Sequence, residues 1–294
     1  MSVKRSTKET GASSRQIAGA FYVYCVGEGD TLAPLLEGDL PAPIETPSSL
    51  EMIRGDGLAA ITSAVPISDY GEQELQARLT NATWTAVRAM RHEGVVEHFA
   101  RRAGVVPLRF GTIYLRRESV QKMLAERDAQ FRRIIERLRG REEWGVNVYT
   151  DRAKLKAGID GASPVLREMT ERAATVTPGQ AYLLRKKIET MRGDEARVAI
   201  KRVAVEVENE LASVSEGAAR LRVLKDEASE HGDLTVKLAF LVRCDLFDKF
   251  RAAAERLAEA HAPLGFRLEL TGPWPAYNFA NEEEKDAERA HGKA

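Results

Sequence analysis

Phe21-Tyr22-Val23-Tyr24-Cys25-Val26 is the stretch from which the rest of the chain is read. It is aromatic and β-branched and carries no charge, which predicts a strand. On its N-terminal side, residues 1–16 are rich in Lys, Ser, Thr and Gly and predict a disordered arm. On its other side, Pro34, Pro41, Pro43 and Pro47 mark a loop that holds one short helix at most. Leu50–Ile53 and Leu58–Val65 predict two more strands. They are joined by Arg54-Gly55-Asp56-Gly57, a turn whose Asp and Gly tolerate positive φ. Residues 72–103 predict helix, with apolar Trp84, Val87, Val95, Val96 and Phe99, a break near Gly94 and a cap at Thr80 or Asn81. Val105–Phe110 predicts a short strand and Arg117–Leu138 one amphipathic helix ended by Gly140.

The second half repeats the alternation. Glu143–Tyr149 predicts a strand, Asp151 the N-cap of a helix, and Pro164–Thr175 a further helix. A long helical tract runs from about Pro178 to Val214. Its apolar stripe slips at Gly193-Asp194, which predicts a bend or irregular turn there. Leu234–Val242 is a strand, Leu246–His261 a helix and Phe266–Leu270 a last strand, followed by a charged tail over 281–294. The order β, ββ, α, β, α and then β, long α, β, α, β predicts an α+β chain of two ferredoxin-like sandwiches. The boundaries fall at 17–141 for the first domain and 142–280 for the second. The second domain carries the long helical tract and a sheet of three or more strands. A length of 294 residues also predicts two domains.

Composition excludes several function classes. The chain holds 44 basic and 44 acidic residues, so it lacks the basic excess that nucleic-acid binding draws on. The longest apolar run, Val236–Val242, falls well short of the roughly 18–20 residues that cross a bilayer. No apolar segment follows the basic N-terminus, so a cytoplasmic protein is expected. Cys25 and Cys244 lie in apolar runs and predict buried free thiols.

The catalytic motifs fail one by one. His92 and His98 are six positions apart, about 240° around a helix, so they do not share a metal as the His pair of HExxH does. Both are expected on a solvated face, and no metal or cofactor is expected. Gly27-Glu28-Gly29 lacks the third glycine of a nucleotide loop and is followed by acidic and Pro-rich residues. Glu142-Glu143 predict a solvated strand edge. Three segments remain. Val106–Thr112 (VPLRFGT) places Arg109 and Phe110 in an apolar strand, where the Arg is either a structural ion pair or a recognition group. Arg185-Lys186-Lys187 is either a solvated helix face or a docking patch for an acidic partner. Leu270–Phe279 (LTGPWPAYNF) stiffens Trp274 between two prolines and presents Tyr277 and Phe279, as a self-packing plug or a binding surface.

VPLRFGT, the EWGVNVY strand with Asp151, PGQAYLLRKK and TGPWPAYNF, in that order, resemble the signature blocks of the gas vesicle protein F/L family (GvpF/GvpL). The early Tyr22–Tyr24 strand fits as well, so the resemblance spans roughly residues 20–280. Ala276 stands where the pattern expects Pro, and the N-terminal arm is longer than the pattern. F-type and L-type are not separated. The resemblance implies a cytoplasmic, non-enzymatic accessory protein of gas vesicle formation, with two α+β domains, the first ferredoxin-like. It implies a monomer that binds the hydrophobic shell protein (GvpA-like) and other accessory gas vesicle proteins, and no nucleic acid or membrane. The competing reading is an enzyme or anion-binding domain on the same scaffold, with Arg109 as the anion anchor.

Overall fold

The structure is a computed structural model that describes residues 19–223, 228–229 and 232–280. The predicted arm and tail, with His231 and His291, lie outside the described residues. Along the chain run β1 (Gly19–Glu28), α1 (Gly29–Leu32), β2 (Leu50–Arg54), β3 (Leu58–Pro66), α2 (Ile67–Tyr70), α3 (Glu72–Leu79), α4 (Ala82–Ala100), β4 (Val105–Pro107) and β5 (Ile113–Tyr114). They continue with α5 (Arg117–Glu126), α6 (Asp128–Leu138), β6 (Arg141–Thr150), α7 (Arg152–Ala162), α8 (Pro164–Thr175) and α9 (Pro178–Ala212). The last elements are β7 (Gly217–Leu221), β8 (Ala228–Ser229), β9 (Gly232–Arg243), α10 (Phe247–His261), β10 (Phe266–Trp274) and α11 (Tyr277–Ala280). The described residues form two compact units, one of residues 19–98 with 108–128, the other of residues 99–107 with the described residues between 129 and 280.

In the first unit β1 pairs antiparallel with β3, and β3 with β2. The β2–β3 turn is the expected hairpin, with Gly57 at φ +75° and the Gly55 N–H bonded to Leu58 O at 2.8 Å. Residues Tyr22 to Gly27 are all buried; β1 pairs with β3 along its length and with β5 at Phe21 and Tyr22. α4 begins where Asn81 Oδ1 accepts the Trp84 N–H at 3.0 Å and then runs unbroken through Gly94. The single helix expected over Arg117–Leu138 is two helices. Arg127 leaves helical geometry at φ −110°, ψ 14°, at the one position where a charge interrupts the apolar stripe.

The second unit is built on a five-stranded antiparallel sheet of order β10-β6-β9-β7, with β8 on β9. Taking β6, β7, β9 and β10 as strands one to four, the order is 4-1-3-2 with helices after the first and third, the split βαβ arrangement. β6 and β9 are interior, and their pairs Val146↔Leu238 and Val148↔Val236 face the helices. There they meet Leu155 and Ile159 of α7, Leu166 of α8, Val203 and Val207 of α9, and Phe250 and Leu257 of α10 in one buried core.

Local chemistry starts each helix of the first crossover. Asp151 accepts the Ala153 and Lys154 N–H groups at 2.9 and 3.0 Å. Ser163 caps α8 ahead of Pro164, and Thr177 forms a capping box with Gln180 ahead of Pro178. α9 is one helix of 35 residues, and it passes Gly193-Asp194 without the irregular turn the sequence predicts. Arg192 and Glu195 reach Asp160 of α7 and Ser163 ahead of α8, whereas Glu206 and Glu210 meet His261 and Arg256 of α10, so the stripe changes partner while the helix continues.

Candidate functional site

Tyr22 and Tyr24 are fully buried on β1, so their hydroxyls need partners inside the core. Tyr22 Oη lies 2.9 Å from His92 Nδ1 and accepts the Gly111 N–H at 3.0 Å. His92 also hydrogen-bonds the Leu108 backbone. A carbonyl only accepts, so the second imidazole nitrogen carries the proton and Nδ1 accepts from Tyr22. Tyr24 Oη lies 2.7 Å from Ser63 Oγ and accepts the Ile44 N–H at 2.8 Å. Burial pushes the Tyr22 hydroxyl far above its ordinary range, the Tyr24 hydroxyl up to about 12 and the His92 imidazole down to about 4. None of these groups changes charge near neutrality. The solvated position expected for His92 is therefore wrong: its side chain is 3% exposed, because the Tyr22 hydroxyl draws an acceptor into the core. His98 is half-buried.

The VPLRFGT block serves this cluster. β4 stops at Pro107, and Arg109 and Phe110 lie in the turn that follows, not in a strand. Gly111 takes φ +84°, which aims its N–H at Tyr22. Phe110 meets the His92 ring edge-on at 5.7 Å and the Tyr22 ring at 6.3 Å. Arg109 is exposed at the start of that turn, where its carbonyl accepts the Thr112 N–H at 3.1 Å. Beside this, Glu45 of the Pro-rich loop accepts from Tyr70 Oη and from Arg88 Nε, each at 2.7 Å. The Arg88 guanidinium lies 4.1 Å over the Trp84 ring. The sequence signal for that pair was available in the Trp84/Arg88 spacing of one helical turn, whereas Glu45 has none.

The TGPWPAYNF block divides in two. β10 extends to Trp274, four residues past its expected end, and Trp274 pairs with Glu143 across the ladder. Trp274 is 50% exposed, with Nε1 donating to Thr271 Oγ1 at 3.2 Å. Phe279, 1% exposed, is the plug: its ring comes within 2.9 Å of where a side chain on Gly217 would begin. Tyr277 is half-buried at the start of α11. Glu143 is 4% exposed and not on a solvated edge, because β6 is an interior strand. Its carboxylate accepts the Asn278 N–H at 3.0 Å and the Asn278 side-chain amide. Cys25 is buried as expected. Cys244 is exposed, because β9 ends at Arg243 and the thiol sits in the turn beyond it.

Arg185 and Lys186 lie with Lys187 on an exposed face of α9, beside Tyr182 and Leu183, which are 64% and 65% exposed. None of the three cations makes an ion pair among the described residues. Two turns further along, a groove opens between α7 and α9 at Gly193. Among the described residues, no group of three or more His, Cys, Asp or Glu is placed to hold a metal. No helix there is long and apolar enough to cross a membrane.

These features define an α+β protein with two antiparallel sheets, whose buried polar groups serve its own core. Comparison with known proteins names the class more closely. Residues 20–281 match the model of the gas vesicle synthesis protein GvpL/GvpF family, and the chain belongs to that family. Gas vesicle protein L of Streptomyces sp. (strain CB03234) is 31% identical over 240 residues, 80% of this chain and 84% of that one. Gas vesicle protein F of the same strain is 26% identical over 249 residues, 82% of this chain and 90% of that one. The crystal structure of GvpF from Microcystis aeruginosa matches with a TM-score of 0.56 at 15% identity, covering 89% of this chain and 99% of that one. GvpF from Anabaena sp. PCC7120 matches at 0.57 and 17%, over 90% of this chain and 96% of that one. At such identities these structures establish the fold. The protein is thus a member of a gas vesicle accessory family.

Proposed function

We propose that the protein is an assembly adaptor that binds the hydrophobic shell protein and other accessory gas vesicle proteins and so supports nucleation of the vesicle. One observation beyond the family match supports this reading. In the PGQAYLLRKK block, Tyr182 and Leu183 stand in solvent beside three cations without ion pairs among the described residues. A shell subunit exposes apolar surface before it assembles, and such surface aggregates unless it is covered. An adaptor covers it reversibly with apolar and aromatic contacts ringed by charge, which is the composition of this face. The protein acts in the cytoplasm, as a monomer when alone, and no reaction is catalysed.

Co-expression with the shell protein and each accessory protein, followed by affinity capture, tests the proposal. Capture of the shell protein, with loss of vesicles when this gene is deleted, is the expected result. Failure to capture any of them, with vesicles intact after deletion, overturns it.

A further inference from the structure

We infer that the groove between α7 and α9 is a docking channel for an acidic amphipathic helix of a partner protein. This rests on the adaptor reading and adds to it a place and a partner chemistry. The groove encloses about 580 Å³, with Leu155, Gly193, Ala196 and Ile200 forming its apolar floor. Gly193 is the first observation. It lies inside a continuous helix, is not among the glycines with positive φ, and nothing lies within 4 Å of where its side chain would begin. Neither backbone geometry nor internal packing calls for glycine there, yet glycine weakens a helix interior relative to alanine. What a bare backbone at that point allows is close approach by another chain.

The second observation is spacing. Tyr182, Lys186, Glu189, Gly193, Ala196 and Ile200 follow one another at intervals of 4, 3, 4, 3 and 4. That spacing keeps all six on one stripe of the helix, apolar at Ala196 and Ile200 and charged at Lys186 and Glu189. The same seam continues at Val203 and Val207, which are buried in the unit's own core. A single seam is therefore covered at its C-terminal end and open from Tyr182 to Gly193. A helix laid into the channel continues the packing that α9 already makes.

Charge identifies the occupant. Arg152, Arg192 and Arg197 line the groove, and each is paired, with Asp233, Asp160 and Asp194 in turn. Lys156 in the lining and Lys186 on the seam make no ion pair among the described residues, and Arg185 and Lys187 flank them in the same state. Glu189 is the opposing carboxylate of the lining. Within the lining the four cations are balanced by Glu189 and the three paired aspartates, so the positive excess comes from Arg185, Lys186 and Lys187 at the N-terminal end of the channel, and it selects a partner that carries carboxylates beside its apolar stripe at that end.

The test uses the full chain and two labelled peptides of about 20 residues, long enough to be helical in water. One has a Leu/Ala face and a Glu face, and the other has Lys in place of Glu. Fluorescence anisotropy is expected to give saturable binding of the Glu peptide, roughly tenfold tighter than the Lys peptide. Gly193→Leu, which fills the floor, and Lys156→Glu with Lys186→Glu are each expected to weaken it by about tenfold or more, with melting unchanged or raised for Gly193→Leu. Equal binding of both peptides, or of the Glu peptide to wild type and Gly193→Leu, overturns the channel. Capture from cells separates this from the adaptor reading. If Gly193→Leu captures gas vesicle proteins as well as wild type does, the channel fails and the adaptor stands. If the Glu peptide binds as expected but wild type captures no gas vesicle protein, the adaptor fails and the channel stands.

Discussion

His92 ties the stability of the first unit to pH. Its folded-state value of about 4 lies below the ordinary 6.5, because burial disfavours the imidazolium. Between those values the unfolded chain binds more proton than the folded one. The contribution is thus fully present above about pH 6.5 and is lost as pH falls towards 4, to the extent of about 3 kcal/mol. Urea unfolding at stepped pH should show this loss in wild type and a shallower one in His92→Gln. At the other end of the chain, Phe279→Ala should cost about 3–5 kcal/mol, as a buried aromatic truncation does, and Trp274→Ala about 1 kcal/mol or less. Equal losses from the two would show that Trp274 is also part of the plug. Asn278→Ala removes a donor to the buried Glu143 carboxylate and should cost about 1–3 kcal/mol in the same assay. The sequence showed these aromatics as a group but not their division, since two prolines around Trp274 stiffen a core residue and a surface residue alike. Nor did it show the fate of His92, which turns on Tyr22, seventy residues away.

Elements whose limits are set locally were legible. Asp151, Ser163 and Thr177 start α7, α8 and α9 through caps whose partners lie two or three residues further on, and the sequence carries that chemistry openly. β7 was not legible: Gly-Ala-Ala-Arg-Leu has no β-branched or aromatic residue and is a strand because β9 lies beside it. Likewise β10 runs on to Trp274 because β6 offers a partner at Glu143, despite the two prolines. α9 departs from expectation the other way. Its stripe slips at Gly193 because it exchanges one set of packing partners for another, and the helix stays intact. Gly193→Ala should therefore stabilise the second unit by about 1 kcal/mol, read as a higher urea midpoint with an unchanged slope. A loss of stability would mean that the helix needs glycine there.

At the level of the whole molecule, 44 basic and 44 acidic residues leave no net charge near neutrality, and the isoelectric point is about 7.0. Mutual repulsion between copies is then weakest near pH 7. Light scattering should show the lowest second virial coefficient near pH 7 and a higher one at pH 8.5, more clearly at low salt. Both α+β sheets were legible as a class from alternating strands and helices. Which signature blocks face outward was not, since a block quoted as letters does not say that Phe110 and Phe279 turn inward while Tyr182 and Leu183 do not. The two thiols carry a last consequence. Cys25 is sealed in β1 and burial pushes its thiol far up, whereas Cys244 stands in solvent beyond β9. The native chain therefore offers a single point for maleimide chemistry without any substitution. A fluorophore on Cys244 would follow the second unit from free protein to growing vesicle, and its labelling rate with and without partners would report whether that corner is covered during assembly.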